Sequence, residues 1–120
     1  MRNISEKERH HHMSRTNPET VIQREIRDTL EHLGYLVLRL PVGQMRLARG
    51  YMFNTGVPNG TPDLLAIAKS GQASFIEVKT KTGRLRDDQN KWAKSFADWG
   101  FNYGVARSAD DAIKICKGEF

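Results

Sequence analysis

The chain holds a single cysteine, Cys116, in 120 residues. One cysteine forms no intrachain disulfide and no cysteine metal cluster, and it fits a reducing compartment. Long apolar runs are missing too. The longest is Leu64 to Ala68, far short of the roughly 20 residues a membrane helix needs. The N-terminal stretch, with Arg2, Glu6, Lys7, Glu8 and Arg9, has no apolar segment of the kind that directs secretion. The expectation is therefore a cytoplasmic protein that neither inserts in a membrane nor leaves the cell. Internal repeats and linkers are also missing. A length of 120 residues leaves room for one domain with a modest core, so a partner subunit is expected to cover apolar surface.

What is present is a basic bias. Lys and Arg number 19 against 14 Asp and Glu, giving a net charge of +5 and a pI near 9.6. The total hints at a polyanionic partner, and the distribution says more. Lys79, Lys81, Arg84, Arg86, Lys91 and Lys94 stand in a short stretch against only Asp87 and Asp88.

Residues 1–16 are polar and without apolar periodicity, and read as a loose arm or a tag remnant. The run His10-His11-His12 belongs to that arm and makes no closed metal site. Residues 17–120 then form one domain. Thr16 with Glu19 fits a capping box, and Pro18 opens a helix reaching about Leu33. Its apolar positions Ile22, Ile26, Leu30 and Leu33 recur at helical spacing, with Gly34 as C-cap. Tyr35 to Leu40 reads as a strand. Four glycines and three prolines between Pro41 and Pro62 make a long loop with a short turn of helix.

Asp63 to Lys69 and Ala73 to Thr80 read as two strands joined by Ser70-Gly71-Gln72, apolar on both faces and so needing cover on both. A helix over Asp87 to Trp99, a strand over Phe101 to Arg107 and a helix capped by Ser108 complete the chain. The order α-β-β-β-α-β-α predicts an α/β sandwich around a mixed sheet of about four strands.

Chemistry concentrates at Pro62-Asp63 and Glu77-Val78-Lys79. An acid-x-Lys triplet alone says little, since roughly one is expected by chance in this composition. Placement says more. Glu77 and Lys79 are two apart on a strand and share a face. With a loop at 70–72, Asp63 faces Lys79 and is the diagonal neighbour of Glu77, with Cβ atoms under roughly 7 Å apart. Two carboxylates held close attract a hard divalent cation. Such a cation lowers the pKa of its water and neutralises phosphate charge, while a lysine orients that water. The plain alternative is a cross-strand salt bridge of Asp63 and Glu77 with Lys79.

The run Gly56 to Leu65 (Gly-Val-Pro-Asn-Gly-Thr-Pro-Asp-Leu-Leu) followed by Phe75-Ile76-Glu77-Val78-Lys79 resembles the PD-(D/E)xK nucleases, and within them the VRR-NUC family. Glu19 to Gln23, Gly34-Tyr35 leading into Leu38-Arg39, and Gln89 are further marks, so the resemblance covers about residues 18–112. It implies a restriction-endonuclease-like fold and a Mg²⁺-dependent endodeoxyribonuclease, with Mn²⁺ able to substitute. It also implies branched DNA such as four-way junctions as substrate, a homodimer, and no small-molecule cofactor. The cellular setting it suggests is bacterial or phage-infected.

Carried over by residue, the resemblance makes Asp63, Glu77 and the Val78 carbonyl metal ligands and Lys79 the catalytic lysine. Glu19, Gln23 and Gln89 complete the catalytic set. On a helical wheel Glu19 and Gln23 fall beside Ile22, Ile26 and Leu30, and Glu25, the alternative first-helix acid, falls nearer the edge. Arg39, Arg46 and Arg49 are candidates for phosphate contacts, as are Lys81, Arg84 and Arg86 in the basic stretch. Tyr51 and Phe53 could stack on an unpaired base, but the favoured expectation is that they tuck under their loop or meet a partner subunit. The sequence departs from the family pattern at Pro41-Val42-Gly43, where an asparagine-glycine turn is frequent. That bears on substrate contacts in 41–56 and not on the metal site.

Overall fold

A computed structural model describes residues 17–119. The expected N-terminal arm, including the histidine run, and Thr16 lie outside the described residues. Helix α1 spans Pro18–His32. Its N-cap is Asn17, whose side chain accepts from the Glu19 amide at 2.7 Å. The expected Thr16 box is replaced because asparagine caps a helix at least as well as threonine, and Pro18 then occupies the first helical position. Ile26 and Leu30 are fully buried, and Gly34, at a φ of +94°, turns the chain out of the helix.

The main sheet contains β1 (Leu36–Arg39), β4 (Leu64–Ile67), β5 (Ala73–Val78) and β6 (Asn102–Ala106), in that spatial order. The first three are antiparallel, and β6 adds parallel to β5. A parallel pair needs a crossover, here helix α2 (Asp87–Asp98). Helix α3 (Ala109–Cys116) follows β6, capped by the Ser108 hydroxyl accepting from the Asp111 amide. The element order matches expectation except inside the 41–62 loop. There a small hairpin, β2 (Gln44–Arg46) with β3 (Met52–Asn54), encloses the 3-10 turn Ala48–Gly50. Among the described residues no helix is long and apolar enough to cross a membrane.

Strand alternation sorts the side chains into two layers. Leu64, Ala66, Ile76, Val78 and Ala106 pack with Ile26 and Leu30 of α1 and with Ala112, Ile115 and Cys116 of α3. Gly104 permits that approach, since a Cβ there would sit 2.6 Å from Ile115 Cγ1. The other layer is aromatic and lies under α2. Phe75 stacks on Phe96 with centroids 4.1 Å apart, and Phe96 also meets Trp92, Phe101 and Tyr103. Trp92 is thus a packing residue, whereas Trp99 is 74% exposed. Tyr51 and Phe53 stay exposed on the β2–β3 hairpin and are not tucked beneath it.

Candidate metal centre and nucleic-acid interface

The β4–β5 register pairs Leu64 with Ile76, which sets Asp63 directly opposite Glu77. The expected diagonal arrangement differs by two residues. The connecting loop closes earlier than expected, with the Ala68 amide bonded to the Gln72 carbonyl and the Gly71 amide to the Ala68 carbonyl. A shift of two keeps every face unchanged and brings the two acids closer.

Asp63 is held at its base and at its tip. Its carbonyl accepts from the Leu40 amide, and Oδ2 accepts from the Val78 amide at 2.8 Å. In an extended strand a residue's N–H and C=O point to the same side, so the Val78 carbonyl also lies on the Asp63 side of β5. Glu77 is 2% exposed, Lys79 6% and Gln89 5%, an unusual density of buried polar groups. Gln89 Nε2 donates to Glu77 Oε1 at 2.8 Å, while its Oε1 accepts from the Arg86 amide. That one side chain therefore caps α2 and braces the acid. Glu77 Oε2 has no hydrogen-bond partner.

Burial pushes the Glu77 carboxyl from 4.5 up to about 8. The Asp63 charge adds to the rise, and Lys79 and Arg86 oppose it. Tyr103 rises to about 12, first through burial and then through the charges of Glu77 and Asp63.

A pH dependence follows for the protein in chelator. A carboxyl raised in the folded state stabilises while protonated. Its contribution is complete below about 4.5 and is lost as pH climbs through about 8. Thermal melts in EDTA between pH 5 and 9 should show the Tm falling, and Glu77→Gln should flatten the fall and melt higher at pH 9. Parallel curves for the two proteins would refute the assignment.

The remaining candidates divide. Glu19 and Gln23 are half-buried and Glu25 exposed, as the wheel has them. Among the described residues no hydrogen bond joins the Glu19 or Gln23 side chain to Asp63 or Glu77. Arg39 ends β1 opposite Leu64, next to Asp63, while Arg46 and Arg49 are exposed on the hairpin region. Lys81, Arg84 and Arg86 are exposed on the loop between Lys79 and α2, and Arg86 Nε also meets Asp88 Oδ1 at 3.3 Å.

Two residues outside the sequence reading shape this region. Arg107 donates from NH1 to the carbonyls of Thr80 and of Gly83, the latter at 2.8 Å, so it staples the turn after Lys79. Gly60, at a φ of +89°, lets the loop ahead of Asp63 touch the first turn of α2. Its P-N-G-T-P setting was a signal for a tight approach. An arginine just past a strand offered none.

A four-stranded mixed sheet between helices, with an acid pair and a buried lysine where the central hairpin opens, defines a restriction-endonuclease-like nuclease domain. The sequence matches the VRR-NUC domain family over residues 17–110. A solved structure described as a VRR_NUC domain is similar, with 26% identity and a TM-score of 0.64, covering 88% of this chain and all of that one. No curated protein matches the sequence. The chain belongs to the VRR-NUC family, a nuclease-type family, and its substrate class is DNA.

Proposed function

We propose that this protein is a metal-dependent endodeoxyribonuclease that hydrolyses phosphodiesters in branched DNA, four-way junctions above all, and works as a homodimer. The observation that carries the reading is the Asp63–Glu77 pair, opposed across one hairpin, with Glu77 buried and one of its oxygens left unpartnered. Uncompensated carboxylate oxygens are costly inside a protein, and a hard cation compensates them. The residues fit such an ion. Asp63, Glu77 and the Val78 carbonyl would hold Mg²⁺ or Mn²⁺, which would activate a water and neutralise phosphate charge.

The protein's own groups do the rest. The Val78 amide and Gln89 fix the two carboxylates before substrate arrives. Lys79, buried on the same strand face as Glu77 and with its amide bonded to the Ala106 carbonyl, would orient an attacking water. Lys81, Arg84 and Arg86 bind phosphates, which gives affinity without reading sequence and leaves selection to DNA shape. A two-fold pair of such sites suits the two matching strands of a junction.

The test is cleavage of linear, flap, fork and four-way DNA. Activity should disappear in EDTA, return with Mg²⁺ or Mn²⁺, favour four-way junctions over linear duplex, and weaken steeply as salt rises. Light scattering should report a dimer. Full activity in chelator refutes the metal reading, binding without cutting makes the protein a DNA-binding module, and a preference for flaps replaces the junction reading.

A further inference from the structure

Glu77 is braced from one side only. Gln89 occupies Oε1, and the buried Oε2 accepts nothing. Tyr103 presents the complementary deficit, a buried hydroxyl with no partner. The β5–β6 register pairs Tyr103 with Phe75, two residues before Glu77, so the tyrosine rises from the same face of the sheet as the acid. Its ring lies against Phe96 with centroids 5.7 Å apart, which holds it under α2 and away from solvent. The Trp92 indole N–H, in the same aromatic layer, is likewise buried and unpaired.

Buried polar groups without partners in a native protein point to a bond completed by water or by a neighbour. Here one missing acceptor bond and two missing donor bonds fall in one layer. We propose that Tyr103 is a positioning residue for Glu77, its hydroxyl donating to Oε2 through one internal water that also takes the Trp92 N–H. A carboxylate oxygen has two lone pairs, so this bond leaves one free for a cation. Gln89 and Tyr103 then grip the carboxylate from two sides, as outer-shell partners of metal ligands commonly do.

The inference rests on the reading of Glu77 as a metal ligand. Tyr103→Phe keeps the ring in its stack and removes only the hydroxyl. Titration of the full chain with Mn²⁺ alone, followed by electron paramagnetic resonance, should show binding weakened about 10- to 100-fold in the variant. KM for DNA should not change, and excess Mn²⁺ should restore much of the lost kcat. In wild-type protein labelled with 3-fluorotyrosine, which carries three tyrosines, the fluorine resonance of Tyr103 should move on adding Mg²⁺. Mn²⁺ affinity within twofold of wild type, or a Tyr103 resonance indifferent to Mg²⁺, overturns the inference alone. A wild-type chain that binds no Mn²⁺ overturns the ligand reading, and this inference with it.

Discussion

Asp63→Asn, Glu77→Gln and Lys79→Ala should each slow DNA cleavage by more than about 100-fold, because even outer partners of metal ligands are worth 10- to 100-fold. DNA affinity should change little, since the proposed phosphate contacts are made by exposed cations such as Lys81 and Arg84. The three side chains lie on one hairpin, two of them buried beyond 90%, and each needs the others. Asp63 takes its orientation from the Val78 amide, and Glu77 takes part of its protonation behaviour from Asp63. Groups that act as a unit lose their function together, so double variants should be barely slower than single ones. Single-turnover cleavage beside equilibrium binding separates the two effects. Near wild-type cutting by Lys79→Ala would reduce the triplet to a salt bridge.

Gly60→Ala should cost about 2–5 kcal/mol of stability, combining the penalty of a left-handed conformation with that of overpacking. The added Cβ would lie 2.2 Å from the Asp88 carbonyl oxygen, a backbone atom that cannot swing aside. Either the loop ahead of Asp63 or the first turn of α2, which carries Gln89, must move. Against a typical domain stability of roughly 5–15 kcal/mol the loss is severe. Gly71→Ala is the control. Its φ of +94° is as strained, yet nothing lies within 4 Å, so only the conformational part should be lost. Urea denaturation measures both, and equal costs at the two positions would show that the contact with Asp88 yields freely.

Helices and central strands were legible because hydrophobic period and punctuation agreed. Ile26 and Leu30 repeat at four, Gly34 and Gly100 stop their helices, and Ser108 caps the last one. The register was not, since Lys69-Ser70-Gly71 and Ser70-Gly71-Gln72 are equally good three-residue loops and only the hydrogen bonds choose between them. The β2–β3 hairpin escaped because three-residue strands are too short to show an alternation. In the candidate site, acid-x-Lys spacing exposed Glu77 and Lys79, and a helix-start glutamine exposed Gln89. Tyr103 reads as one more core aromatic, because a buried hydroxyl on the strand beside an acid leaves no trace in local pattern.

The β2–β3 hairpin pairs with no strand of the main sheet and is tethered at its base through Gly43, Thr55 and Val57. A lone two-stranded hairpin is marginally stable, so its opening costs far less than global unfolding. Amide exchange there should report a separate, shallow unit, while the amides of β4 and β5 should exchange with the whole domain. The hairpin bearing Arg46 and Arg49 can consequently open, and accept insertions over time, without loosening the two acids.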